Sequence, residues 1–279
     1  MNWKNGSLGR FITSNVKRRS DVVYLFQLWE LFLGENNFQR PVNHEDSKRF
    51  SLISRFGEIY ADLRLKGQLK NAVKFAKYLT PSEVSPEERV EFTIQNYELG
   101  RELERRFYTG SVTGPYMLTI EPHSPYNNQE GLWMLKLHDV SLPGHPNIAR
   151  VGINFHVENG QIVLSIGVIQ GVQSKKKKLD LFRRQVKQPW PVFMVQALQH
   201  FAGAMGAKTI RGITRDAQPF HEKGEFKSGK GKYDLYNTTF ENMGFRPPIE
   251  KQNYFETAVI PLKKKRTDAF ERIFPKTAM

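Results

Sequence analysis

The clearest pattern in the chain is a pair of apolar segments joined by a polar stretch and one amphipathic segment. Residues 162–169 form a continuous apolar run rich in β-branched side chains and residues 208–214 a shorter one, so both are predicted to be buried strands. Between them, residues 191–205 place apolar side chains on one helical face, with Pro191 at its start and Gly206 at its end. This order predicts a βαβ unit with adjacent, parallel strands.

Short alternating segments precede this unit. They predict further strands at residues 116–121, 132–139 and 149–158, separated by proline, asparagine and glycine turns. Asn159 and Gly160 are typical of a type I′ turn, which requires positive φ at both central residues. We therefore expect the strands on either side of this turn to form an antiparallel hairpin, so that the whole sheet is mixed.

Helical patterns dominate the N-terminal third. They predict helices at residues 21–34, 47–60, 66–79 and 85–107, the last with Ser85 at its cap and a proline at its first position. At the other end, the patterns predict a long polar loop, a short helix at 233–243 and a closing strand at 254–262. The expected organisation is a helical N-terminal region, residues 1–110, followed by a mixed α/β domain, residues 111–279.

Composition narrows the class of protein. With 39% hydrophobic and 25% charged residues, the chain has the composition of an ordinary globular protein. The absence of cysteine excludes disulfides, thiol nucleophiles and cysteine metal sites, and the seven histidines show no metal-binding spacing. No run is long and apolar enough to predict a transmembrane helix or a secretory signal, so we expect a cytoplasmic protein, with peripheral contact with the inner membrane as an alternative.

Positive charge is concentrated in the C-terminal part. The net charge is +14, and residues 111–279 hold 24 Lys and Arg against 14 Asp and Glu. Such a field attracts phosphates, whether in nucleic acid, anionic lipid or a phosphorylated cofactor, but a solvated basic surface explains it equally well. We expect segments 175–187 and 223–232 to form a patch that binds a polyanion, with Arg183, Arg184 and Lys187 as anion-binding residues.

Several segments resemble the VirK/YbjX family of bacterial proteins. They are IGVIQG at 166–171, PVFMVQALQHFAGAMGAKTIRGIT at 191–214, YDLYNTTFENMGF at 233–245 and the strand at 254–262. The resemblance covers residues 95–270 and implies a cytoplasmic protein linked to virulence, envelope behaviour or resistance to host peptides, without a settled biochemical activity. The family's histidine–tyrosine pair is replaced here by Phe107-Tyr108.

The same order of elements also looks like the acyl-CoA N-acyltransferase fold, which implies a cofactor site after the strand that ends at Ile169. Such enzymes hold the cofactor pyrophosphate on backbone N–H groups of a glycine-rich turn that opens a helix. Here the turn carries one glycine and is followed by a run of lysines. The resemblance therefore implies an altered or lost acyl-CoA site, whose candidate residues are Gln170, Gly171, Gln173, Ser174 and Lys175.

Candidate catalytic residues follow the second strand of the βαβ unit, because ligands bind at the carboxyl ends of parallel strands. Asp216 as base, Tyr236 as acid and Arg215 as anion clamp would be chemically workable, and the polar loop would bring His221 near them. The alternative is a purely structural role, in which Arg215 and Asp216 form a turn and Tyr236 packs against Phe240.

Overall fold

The computed structural model describes the last N-terminal helix and most of the sheet domain. The described residues are 86–107, 112–113, 115–122, 131–214, 235–249 and 254–259. The helices predicted at 21–34, 47–60 and 66–79, the polar loop after Thr214 and the basic segment 223–232 lie outside them. Of the helical region predicted for residues 1–110, only the final helix is therefore described.

The described helices and strands follow the order that the sequence patterns predict, with two additions, Val112–Thr113 and Lys176–Val186. In the described part of the chain they are α1 (Pro86–Phe107), β1 (Val112–Thr113), β2 (Tyr116–Pro122), β3 (Trp133–Asp139), β4 (Asn147–Glu158), β5 (Gln161–Gly171), α2 (Lys176–Val186), α3 (Trp190–Ala204), β6 (Thr209–Ile213), α4 (Leu235–Asn242) and β7 (Tyr254–Ala258). A 3₁₀ turn, Gln173–Lys175, precedes α2. The patterns did not predict α2, which occupies the lysine-rich half of the crossover between β5 and β6.

The sheet is mixed, as predicted. The seven strands in the described residues lie in sequence order, and β5 and β6 are parallel while every other neighbouring pair among them is antiparallel. Val163 lies opposite Thr209 and Ile166 opposite Gly212. The βαβ unit, the closing strand and the fold class, an α+β architecture built on a mixed sheet, are thus confirmed.

The β4–β5 hairpin turns at Asn159 and Gly160, as predicted. Their φ angles are 50° and 73°, a conformation that asparagine and glycine adopt more readily than other residues. The strands on either side are antiparallel, with Glu158 opposite Gln161.

The two faces of β6 carry different side chains. Ile210 and Gly212 face one side, where Phe240 of α4 lies so close to Gly212 that a Cβ atom there would stand 2.2 Å from the ring. Arg211, between them, faces the other side because successive side chains of a strand alternate. Phe240 is fully buried and contacts Phe255 of β7 with ring centroids 5.7 Å apart. The face of the sheet that carries Phe240 is therefore a close-packed apolar layer.

Helix α1 packs against β4 and β2, and two of its side chains accept hydrogen bonds from the β4 backbone. Ile153 is the last residue of β4 that pairs with β3, where it lies opposite Trp133, and β4 continues for five residues beyond it. There the side-chain oxygen of Asn96 accepts the N–H of Phe155 at 2.9 Å, and that of Gln95 accepts the N–H of Val157 at 3.1 Å. Two helix side chains thus do for β4 what a neighbouring strand would do.

Candidate functional site

The parallel strands separate at their carboxyl ends. The last β5–β6 pair is Ile166 with Gly212, but β5 continues to Gly171. Opposite β4, Val168 pairs with Gly152 and Ile166 with Ile153, which leaves Gly167 as an extra residue in a β-bulge where the strands part. We call residues 167–171 of β5 the fork segment.

Tyr236 lies at this fork segment, on helix α4. Its hydroxyl oxygen accepts the backbone N–H of Ile169 at 3.2 Å, beyond the last β6 partner. The predicted catalytic tyrosine and the first predicted cofactor residue, Gln170, are therefore brought to neighbouring positions. Tyr236 is half-buried beside the core, while Phe240, its predicted packing partner, is covered by Gly212 and by the rings of Phe245 and Phe255.

The predicted cofactor residues extend from the end of the fork segment to the residue before α2. Gln170 accepts two hydrogen bonds from the guanidinium of Arg150 on β4, at 2.7 and 3.0 Å. Gly171 faces side chains, because a Cβ atom there would stand 2.8 Å from Leu179 and 3.2 Å from Trp190. Because Gly171 is closely packed, a ligand would find accessible backbone only after this residue, at the start of α2.

The start of α2 is positively charged. Its N-cap, Lys175, makes no side-chain capping hydrogen bond, and no acidic residue lies in the first turn. The backbone from Gln173 to Lys175 forms the 3₁₀ turn, Ser174 is exposed, and Lys176 and Lys177 are exposed in the first helical turn. A helix N-terminus already attracts anions through its N–H groups, and these lysines strengthen that attraction.

Helix α2 is anchored to the sheet through its inner face. Phe182 is fully buried between Tyr116 and Phe193, with ring centroids 4.8 and 5.2 Å away. Burial and the nearby charge of Asp139 raise the pKa of Tyr116 to about 12, so its hydroxyl stays protonated and donates to Gln185 at 2.5 Å. These contacts hold the opposite face of α2 toward solvent.

The outer face of α2 and the residue that ends it carry the three side chains predicted to bind anions. Arg183, Arg184 and Lys187 are exposed there, together with Leu181, whose side chain is 40% exposed. The described structure thus places half of the predicted basic patch on one helix. The other half, segment 223–232, and the predicted residues Arg215, Asp216 and His221 lie outside the described residues.

A second group of polar side chains, which sequence reasoning missed, lies on the face of the sheet opposite Phe240. The guanidinium of Arg211 on β6 donates from Nε to Glu256 on β7 at 2.8 Å and from Nη2 to Glu158 on β4 at 2.6 Å. It also lies 4.5 Å from the ring centroid of Tyr254. One buried cation thus joins three strands.

Charges in this group depend on one another. Burial, reinforced by the positive charge of Arg211, lowers the pKa of His156 to about 4, against the opposing influence of Glu158. Burial alone would raise the pKa of Glu158, but the hydrogen bond and charge of Arg211 outweigh it and hold that pKa below its usual value. At neutral pH the group therefore contains one cation, two carboxylates and a neutral histidine.

One signal in the sequence pointed to this group. Arg211 interrupts an apolar strand, and a charged residue in a buried strand implies a partner. The partners themselves were not predictable because Glu158 and Glu256 lie 53 and 45 residues away and come close only through strand register. In the described part of the chain, no three His, Asp or Glu side chains are grouped as a metal site.

Comparison with known proteins gives distant structural likenesses. No protein-family model matches the chain, and no curated protein matches it. Among solved structures, the chain is similar to the AtaT toxin bound to the C-terminus of AtaR and acetyl-CoA, with 13% identity, 52% of this chain and 73% of that chain covered, and a TM-score of 0.27.

It is also similar to a GNAT-family acetyltransferase from Desulfovibrio desulfuricans, with 10% identity, 71% and 95% coverage and a TM-score of 0.29. An aminoglycoside 6′-N-acetyltransferase from Enterococcus faecium shows 10% identity, 71% and 93% coverage and a TM-score of 0.27. These neighbours are acetyltransferases, and at this distance they transfer no activity to the chain. None of the described helices has the length and apolar character needed to cross a membrane.

Proposed function

We propose that this chain binds an acyl-coenzyme A thioester at the fork segment and the start of α2, as a cytoplasmic protein of the VirK/YbjX type with a role in envelope or stress physiology. The observation that supports the site is the position of Tyr236, whose hydroxyl lies on β5 where β6 no longer pairs. A crevice at the carboxyl ends of parallel strands is where such sheets bind ligands.

The residues at this site could hold the phosphates of the cofactor, but not through the glycine-rich turn that N-acyltransferases use. Gly171 is packed against side chains and supplies no glycine-rich cradle. The first turn of α2 offers backbone N–H groups without a side-chain cap, surrounded by Lys175, Lys176 and Lys177. The phosphates would therefore be held by the helix terminus and lysine charges, and the amide-bearing arm by the fork segment.

When bound, the thioester supplies an activated acyl group, whose transfer to a nucleophile releases a thiol. Tyr236 places a phenolic hydroxyl at the fork segment, and a positioned tyrosine can act as a general acid. Apolar side chains on both sides of β5, including Ile169, exclude water from this end of the sheet.

Thermal denaturation with and without acetyl-CoA and longer acyl-CoA thioesters tests this proposal. At 100 times its dissociation constant, a ligand stabilises the folded protein by about 2.7 kcal/mol, which raises the Tm by several degrees. Replacing Lys175, Lys176 and Lys177 by alanine should weaken binding. The matched control replaces Arg183, Arg184 and Lys187, which removes the same charge from the end of the same helix and should change binding much less.

Tyr236→Phe separates binding from catalysis. It removes only the hydroxyl, so the thermal shift should persist while thiol release over amine acceptors falls by about 100-fold or more. The proposal fails if no thioester shifts the Tm. It is reduced to binding alone if thioesters bind but no acceptor yields free thiol.

A second function, contact with anionic lipid, is favoured by the outer face of α2. Leu181 is exposed among Arg183, Arg184 and Lys187, and an apolar side chain within a cationic helix face suits a membrane interface more than nucleic acid. Each engaged basic residue contributes about 1 kcal/mol at an anionic surface, so the triple alanine control above should lose about 100-fold in vesicle affinity.

Leu181→Ser should weaken vesicle binding without changing RNA binding. Vesicles containing phosphatidylserine, neutral vesicles and single-stranded RNA are titrated side by side at two salt concentrations. If RNA binds and anionic vesicles do not, the basic face serves nucleic acid. If nothing binds at low salt, these residues only solvate the helix.

A further inference from the structure

Four buried side chains on one face of the sheet each have a polar atom without a hydrogen-bond partner among the described residues. These atoms are Nδ2 of Asn154, Nδ1 of His156, Oγ of Ser165 and Nη1 of Arg211. Asn154 and Ser165 are completely buried, and His156 and Arg211 are 6% and 8% exposed. We call these four residues the polar row.

The polar row is contiguous. Ser165 lies opposite Asn154 on β4 and opposite Arg211 on β6, and His156 follows Asn154 on the same face of β4. Most buried polar side-chain atoms in folded proteins have a hydrogen-bond partner. A group of unpartnered polar atoms at neighbouring positions of three strands is therefore a candidate ligand site.

Three of the four side chains also make contacts within the protein, but these contacts leave one polar atom of each without a partner. Oδ1 of Asn154 accepts hydrogen bonds from Asn96 of α1 at 2.5 Å and from the N–H of Leu132 at 2.9 Å. Nε and Nη2 of Arg211 are held by carboxylates, and the ring of His156 lies 5.3 Å from that of Phe92. Each of these three side chains is fixed at one end and presents a further polar atom, an arrangement that lowers the entropy lost when a ligand binds.

The polar atoms define the chemistry of the ligand. Arg211 and Asn154 present donors, and the hydroxyl of Ser165 can donate as well. Binding of a further anion is disfavoured because two carboxylates, Glu158 and Glu256, already pair with the single positive charge of Arg211. Both carboxylates are about one-third exposed, so this edge of the row is the side from which a ligand would arrive.

We propose that the polar row binds an uncharged group with an accepting oxygen, namely an amide carbonyl, which is held by Arg211, Ser165 and Asn154. The amide N–H of the same group would face the carboxylates at the exposed edge. This site lies on the face of β6 opposite Phe240 and α4, so it does not depend on the cofactor site proposed above.

Acetamide and acetate provide a matched pair of probes, because they have nearly the same shape and differ in charge. Both are titrated into the full chain without coenzyme A, and two-dimensional NMR follows the side-chain signals of His156 and Asn154. We expect saturable shifts with acetamide and at least tenfold weaker binding of acetate. Shifts that do not saturate, or equal binding of both probes, would overturn the proposal.

Ser165→Ala tests the site against a purely structural role. Because the hydroxyl has no partner in the described structure, the substitution should leave the Tm unchanged or raise it while acetamide binds about fivefold more weakly. Ser165→Thr keeps the hydroxyl and should restore binding. The control is Ser141→Ala, which removes a hydroxyl that donates to Asp139 at 2.5 Å and should lower the Tm without changing acetamide affinity.

A lower Tm for Ser165→Ala with unchanged acetamide binding would show that ordered water already satisfies the hydroxyl. That result would make the polar row a hydrated structural network and would overturn the proposal. Unchanged Tm with unchanged binding would overturn it as well, because the hydroxyl would then contact no ligand.

Discussion

At β6 the two faces of the sheet are held by different forces. On one face, Gly212 leaves room for the ring of Phe240, and stability comes from close packing. On the other, Arg211 joins β4, β6 and β7 through two carboxylates, while nearby polar atoms have no partner in the described structure. The packed face is optimised for folding, and the polar face keeps binding capacity at the expense of stability, which is the usual division between scaffold and site.

Removal of Phe240 should have the largest effect. Phe240→Ala deletes a fully buried ring and is expected to lower the free energy of unfolding by about 3–5 kcal/mol, measured by urea denaturation. Gly212→Ala alone should cost about 1–3 kcal/mol through overpacking. In the Phe240→Ala background the added methyl has space, so its separate cost should disappear; simple additivity would contradict the close approach of ring and glycine.

Acid should weaken the polar face through His156. Its pKa is about 4 in the folded protein against an ordinary value of 6.5, so between these values the unfolded chain binds a proton that the folded one excludes. Stability should therefore fall as the pH drops from about 6.5 to 4, by up to about 3 kcal/mol from this group. His156→Gln should flatten this slope, and an unchanged slope would mean that the folded state accepts the proton.

Arg211→Met should have a smaller effect. It leaves Glu158 and Glu256 without their cation, and we expect a loss of about 2 kcal/mol, reduced from the value for fully buried pairs because both carboxylates are partly exposed. Adding Glu158→Gln and Glu256→Gln should recover most of it. The variant should also raise the pKa of His156, visible by NMR titration, because the charge of Arg211 lowers it. A variant as stable as the parent would show that the ion pairs contribute nothing.

Local patterns predicted most of the described fold. The turn at Asn159 and Gly160 was predictable from residues that favour positive φ, and the parallel strands from their β-branched apolar runs. Helix α3 was predictable from its helical periodicity and the proline at its start. Helix α2 was missed because four consecutive lysines hide its sparse apolar stripe, which becomes evident only when Phe182 is seen against Tyr116. Its boundaries carry no capping side chain that could have marked them.

The sites divide in the same way. Tyr236 was predictable because it lies on a short helix that follows the second parallel strand, close to a crevice that topology requires. The polar row was not, because it is made by register: Asn154, Ser165 and Arg211 are neighbours only once three strands pair. In the sequence, β5 is a nearly continuous apolar run, and a single serine within it gives no indication of its partners.

The side chains of Asn96 and Gln95 have a consequence for the behaviour of the chain at high concentration. Exposed N–H groups at the end of a strand are a template on which a second molecule can add its own strand, the first step of edge-to-edge aggregation. By accepting the N–H groups of Phe155 and Val157, α1 occupies that template from within the same molecule. Two adjacent side chains of one helix thus protect the protein against strand addition by its own copies.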